Sequence, residues 1–78
     1  SLVVSGNGAA GATLNTSATI TGSAFHRNSS FGINGSGQVA ALGNTTFFGN
    51  NGGSTAAQFA ITTLLNMGGV ACEDASCP

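Results

Sequence analysis

Three segments of the chain place a large apolar residue three positions before an asparagine: Val4-Ser5-Gly6-Asn7, Phe25-His26-Arg27-Asn28 and Phe47-Phe48-Gly49-Asn50. The interval from Asn28 to Asn50 exceeds that from Asn7 to Asn28 by a single position. A second apolar series keeps step five positions ahead of the first, with Ile20 before Phe25 and Leu42 before Phe47. Leu65 and Val70 continue the two series after an interval one position longer again, and Glu73 then stands where the next asparagine would fall. A period of about 20 to 50 residues marks a stacked-repeat architecture, in which each unit buries its apolar face against its neighbours.

Within a repeat the pattern reads as short strands with tight corners. Ala18-Thr19-Ile20-Thr21 alternates small or apolar residues with polar ones, and Ala40-Ala41-Leu42 holds the equivalent place one period later. Side chains two apart share a face, so Ile20 and Leu42 turn inward, and Phe25 and Phe47 enter the same interior after bends at Gly22-Ser23 and Gly43-Asn44. A second short strand carries Phe31 and Ile33, with the smaller Ala10 and Ala12 as its counterpart one repeat earlier. Two or three strands in about 22 residues close one coil of a β-solenoid, each strand pairing in parallel with its equivalents about 4.8 Å above and below. The expected fold is all-β, a parallel β-helix of about three coils, at residues 2–23, 24–45 and 46–68. Val4, Ile20, Phe25, Leu42, Phe47, Leu65 and Val70 are its expected core stack. Asn7, Asn28 and Asn50 would form a side-chain ladder at one corner, because a carboxamide both donates and accepts. For the stretch from Ala56 to Met67 the β-branched Ile61, Thr62 and Thr63 favour strand, with a short terminal helix as the alternative.

Charge restricts the partners such a chain can take. Arg27, Glu73 and Asp74 are the formally charged residues, 4 % of the chain, against roughly a quarter in ordinary soluble domains. One basic side chain cannot neutralise a row of phosphates or an anionic lipid surface, so nucleic acid and charged membranes are not expected partners. Gln58, Thr62, Thr63, Asn66, Gly68 and Gly69 interrupt the longest apolar stretch, so no membrane span is expected either. Weak self-repulsion instead suits close approach of like surfaces, as in a fibre or a crowded coat. The chain opens at Ser1 with neither an initiator Met nor a charged leader, which reads as a processed product or a piece of something longer.

The Phe25-His26-Arg27-Asn28 and Phe47-Phe48-Gly49-Asn50-Asn51-Gly52-Gly53 segments resemble the Phe-x-x-Asn and Gly-Gly elements in the repeats of right-handed parallel β-helix proteins. The pectin-lyase-like superfamily and the polymorphic outer membrane proteins of the autotransporter type share these elements. The resemblance spans roughly residues 2 to 70, although Gly52-Gly53 runs into Ser54-Thr55 where the second group has Ala-Ile. It implies an extracellular or cell-surface protein that displays a long, regular surface for adhesion, assembly or glycan contact.

Some proteins of that superfamily cleave polysaccharides with grouped carboxylates, Ca²⁺ and a basic residue. This chain has only Glu73 and Asp74 as carboxylates, adjacent in sequence, and His26 and Arg27 as its basic candidates, so no enzymatic activity, cofactor or metal is expected. His26 reads as a turn or surface residue beside the Asn28 corner. Cys72 and Cys77 lack the further ligands a metal needs, and a disulfide closing a C-terminal capping loop at 72–78 is favoured over free or intermolecular thiols. Glu73 and Asp74 in that loop would discourage another coil from stacking. Asn15, Asn34 and Asn44 lie in Asn-x-Ser/Thr triplets at expected corners and are glycosylation acceptors if the source is a eukaryote. Asn28 has the same triplet, but a buried ladder amide cannot carry a sugar.

The expectation is a non-enzymatic extracellular structural or adhesive module, belonging to a larger surface protein or filament. Its partners would be preceding coils or further copies at the N-terminal face, where Leu2-Val3-Val4 keeps the apolar register, and glycans. The alternatives are the C-terminal fragment of a glycan-binding or glycan-cleaving protein whose groove lies elsewhere, or a small accessory subunit of a larger complex.

Overall fold

Pairing between equivalent strands, one repeat apart, organises the whole chain. The computed structural model describes residues 2–52 and 57–73. Its strands are β1 (Val3–Ser5), β2 (Ala12–Thr13), β3 (Ala18–Thr21), β4 (Ala24–His26), β5 (Ile33–Gly43), β6 (Thr46–Phe48), β7 (Phe59–Asn66) and β8 (Ala71–Cys72), with a single 3-10 turn at Asn50–Gly52. Every pairing is parallel. β1, β4, β6 and β8 form one sheet in that order, and β5 lies at the centre of a second, with β2 and β3 along one edge and β7 along the other. The chain is a parallel β-solenoid of about three turns. Val3 lies beside Ala24, Ala24 beside Thr46 and Thr46 beside Ala71, so the first two turns are nearly equal in length and the third is three positions longer than the second.

Parallel stacking puts like residues into columns, and the period-two alternation decides which columns face inward. Val4, Phe25, Phe47 and Cys72 form one column, Ala12, Ile33 and Phe59 a second, and Ile20 lies over Leu42 in a third. Phe25, Ile33, Leu42 and Phe47 make the buried centre, with Val4, Ile20 and Val70 packed half-buried against it. The Phe25 and Phe47 rings stack 5.4 Å apart at 12°, and Phe59 closes on Phe47 at 5.1 Å with a 54° tilt. Each buried phenyl contributes roughly 1.5–3 kcal/mol by leaving water, and aromatic pairing adds about 0.5–1.5 kcal/mol.

The corners repeat as faithfully as the core. Gly6, Arg27 and Gly49, which precede the three asparagines, have φ of 68°, 56° and 68°, so the middle turn holds an arginine in a left-handed conformation its neighbours give to glycine. At the opposite corner the Ser23 hydroxyl donates to Thr21 O (2.9 Å), and the Thr45 hydroxyl donates to Gly43 O (2.8 Å).

The third turn departs from the expected register. Between the Gly35–Ile61 and Val39–Thr63 pairs β5 carries two more residues than β7, so the sequence offset between partners shrinks by two from Ile33 and Phe59 to Ala40 and Leu64. Leu65 therefore pairs with Ala41 rather than Leu42 and is 54 % exposed, since a one-residue slip moves a side chain to the opposite face. Leu64 faces the core instead. Val70 does not lie under Phe47; Cys72 does, because the third turn is longer than the spacing of Leu42 to Leu65 implies. Phe31 precedes β5 instead of lying in it, and the segment from 59 to 66 is strand. Asp74 and Cys77 lie outside the described residues, and with them the expected Cys72 to Cys77 closure of the C-terminal loop.

Gly32 has no room for a side chain: a Cβ there would meet Phe47 Cδ2 at 2.9 Å, Phe25 Cβ at 3.0 Å and Asn50 Nδ2 at 3.1 Å, whereas one at Gly8 would meet nothing within 4 Å. Urea denaturation should show Gly32→Ala losing about 1–3 kcal/mol, and Gly8→Ala staying within about 0.5 kcal/mol of the parent.

Candidate functional site

The most organised polar feature is the corner where β1, β4 and β6 end. Each asparagine there follows a left-handed residue, which turns the chain so that its side chain points back into the solenoid. Asn28 and Asn50 are 1 % and 0 % exposed, and a carboxamide so placed must find partners inside the protein. It finds them one turn away. The Asn7 backbone N–H (3.2 Å) and Nδ2 (2.8 Å) both donate to Asn28 Oδ1, and the Asn28 N–H (3.1 Å) and Nδ2 (2.8 Å) both donate to Asn50 Oδ1. The second hydrogen of each amide runs the other way, from Asn28 Nδ2 to Val4 O (3.3 Å) and from Asn50 Nδ2 to Phe25 O (2.8 Å). Two donors and two lone pairs are thus used at each interior rung.

A fourth rung comes from an unexpected residue. The Asn50 N–H (3.1 Å) and Nδ2 (3.0 Å) donate to Gln58 Oε1, and Gln58 Nε2 returns a bond to Asn50 O (3.1 Å). Gln58 reaches this place because it precedes Phe59 as Gly32 precedes Ile33 and Gly11 precedes Ala12. At Gly11 and Gly32 the missing side chain makes room for the amides of Asn28 and Asn50; a Cβ on Gly11 would lie 2.8 Å from Asn28 Nδ2. Gln58 breaks that glycine column and fills the equivalent space with its own amide. Glu73, expected in the ladder position, lies elsewhere: its Oε1 accepts the Gly49 N–H at 2.6 Å.

The ionisable side chains among the described residues do not converge. His26 stacks on Phe48 with ring centroids 4.4 Å apart and planes within 5°, and its enclosed Nδ1 makes no hydrogen bond. Arg27 is exposed at the ladder corner, just before Asn28. No group of three or more His, Cys, Asp or Glu side chains that could hold a metal occurs among the described residues. A shallow depression outside the second sheet is lined by Ser17, Ala18, Thr19, Val39, Ala41 and Leu65, none of them ionisable. No helix among the described residues is long and apolar enough to cross a membrane.

The three candidate sugar acceptors occupy different settings. Asn15 is exposed in a bend, and Asn44 is exposed with a left-handed φ of 46°. Asn34 is not at a corner; it lies within β5, paired with Thr13 on one side and Ala60 on the other.

Comparison with models of known protein families, with curated proteins and with solved structures finds no match for this chain.

Removing an interior rung strands buried groups of the turn before it, and removing the first rung does not. Asn50→Ala should cost about 3 kcal/mol or more in urea denaturation, since it takes away the acceptor of the buried Asn28 N–H and Nδ2 and the donor to Phe25 O. Asn7→Ala should cost about 1 kcal/mol or less, since water reaches that exposed end of the ladder.

Proposed function

We propose that this chain is a non-enzymatic structural or adhesive β-helix module that works outside the cell as part of a larger surface protein or filament. The observation that supports this most is the use of the buried amides: Asn28, Asn50 and Gln58 spend their hydrogen bonds on one another and on the backbone of adjacent turns. Such a core holds turns in register, and the outer surface is left to hydroxyls, amides and apolar groups, Leu65 and Met67 among them. Thr19, Ala41 and Leu65 stand side by side on the outer face of the second sheet, and Ala24, Thr46 and Ala71 on that of the first. A low-charge, regular surface of this kind suits lateral contact with other polypeptides or with glycans better than capture of a charged ligand.

The resemblance of Phe25 to Asn28 and Phe47 to Asn50 to repeats of right-handed parallel β-helix proteins, in the pectin-lyase-like superfamily and the polymorphic outer membrane proteins, supports the same reading. A Cys72 to Cys77 disulfide would close the C-terminal loop in an oxidising compartment, and stacking partners would add at the N-terminal face, where Leu2 and Val3 are exposed.

Immunogold microscopy of intact source cells, with non-reducing mass spectrometry of the same material, tests this. The expected result is label at the cell surface or outside it and a chain carrying the Cys72 to Cys77 bond; label confined to the cytosol with two reduced thiols would overturn the reading.

A further inference from the structure

The ladder has two unlike ends, and the difference specifies what can stack on the chain. At the C-terminal end it is closed from within. Gln58 Oε1 takes both Asn50 donors, and Gln58 Nε2 bonds back to Asn50 O. The neighbouring Gly49 N–H is taken by Glu73 Oε1.

At the N-terminal end the ladder is open. Asn7 donates to Asn28 through its N–H and one Nδ2 hydrogen. In the rungs below, Oδ1 also accepts a backbone N–H and an Nδ2 hydrogen from the turn before, and the other Nδ2 hydrogen reaches a carbonyl of that turn. Asn7 makes neither kind of bond among the described residues. The edge beside it is apolar and uncovered: Leu2 is 58 % and Val3 67 % exposed, with Val3 in the same column as Ala24 and Thr46.

We infer that the N-terminal face is a docking surface for a parallel β-coil with an asparagine at its corner, and that this chain's own C-terminal face does not supply it. The complement is set by the repeat. One asparagine presents its backbone N–H and Nδ2 to Asn7 Oδ1, and the residue three before it presents a carbonyl to Asn7 Nδ2. A large side chain at that same residue covers Val4, as Phe25 covers Phe47 one turn apart. Among the described residues, the C-terminal end of a second copy offers Gln58, already turned onto Asn50, and the Glu73 carboxylate, already bonded to the Gly49 N–H, and no further asparagine rung. The module therefore extends at one end, as the closing unit of a stack and not as the repeating unit of a homopolymer. This deepens the proposed stacking role and does not depend on where in the organism the module works.

The test adds a coil of known chemistry. Thr46 and Val3 occupy one column, so residues 24–45 can be placed directly before Val3, which sets a second Asn28 one turn above Asn7. A companion chimera carries Asn28→Ala in the added coil alone. Side-chain amide exchange of Asn7 is read by NMR in the parent and both chimeras, and the parent is sedimented over a range of concentrations. The expected result is exchange at Asn7 slowed at least about tenfold by the asparagine coil and not by the alanine coil, with a parent that stays monomeric. Equal slowing by both coils, no slowing by the asparagine coil, or a parent whose concentration-dependent association disappears in Asn7→Ala would each overturn the inference. A cytosolic location would remove the extracellular reading and leave these results untouched.

Discussion

An asparagine amide shut inside a narrow solenoid has one partner always at hand, the same amide one turn away. Parallel pairing places equivalent residues about 4.8 Å apart, close enough for side chains to bond along the axis. Asn7, Asn28 and Asn50 use this spacing so that two N–H groups converge on the Oδ1 of Asn28 and two on that of Asn50, at 2.8 to 3.2 Å. A slip of one residue in any turn would set a buried amide beside a glycine, Arg27, Ser29 or Asn51 instead of its ladder partner, at a cost of about 1–3 kcal/mol for each stranded group. The ladder is therefore a register lock as much as a source of stability. The Phe25 and Phe47 stack, three residues earlier on the same strands, depends on that register.

The rest of the corner follows from making room for the amide. Gly11 and Gly32 lie where a Cβ would collide with the ladder amides or the phenyl stack. Arg27, Gly6 and Gly49 turn the chain inward through left-handed φ, a conformation that costs a residue with a Cβ about 1–2 kcal/mol. Gln58 shows how the pattern stops: where glycine would admit another rung, a longer amide enters from the opposite side and satisfies the last asparagine. The corner is thus directional, open at Asn7 and shut at Gln58, and this polarity separates a terminal stacking module from a self-propagating fibre.

Much of this was legible because a solenoid repeats residues as well as shapes. Asn7, Asn28 and Asn50, with Val4, Phe25 and Phe47 before them, could be read as columns from spacing alone. The third turn could not. It contains a longer connection before Phe59 and two fewer residues than β5 between paired positions, and the two irregularities offset each other only in part. A constant spacing carried through them puts Leu65 and Val70 in columns held by other residues, and Glu73 at the sequence position of the next asparagine. Gln58 arrives after that connection and outside the Phe-x-x-Asn motif; the signal that points to it is its place after Gly11 and Gly32 in the column before Ala12, Ile33 and Phe59. The left-handed Arg27 shows only when its segment is aligned with those of Gly6 and Gly49.

Scalar coupling transmitted through hydrogen bonds, measured by NMR on the isotopically labelled chain, reads the ladder most directly. The account predicts couplings from Asn7 Nδ2 to the side-chain carbonyl of Asn28, from Asn28 Nδ2 to that of Asn50, and from Asn50 Nδ2 to that of Gln58. A folded chain in which these couplings are absent and the Asn28 and Asn50 amides exchange as freely as those of an unfolded peptide would contradict it.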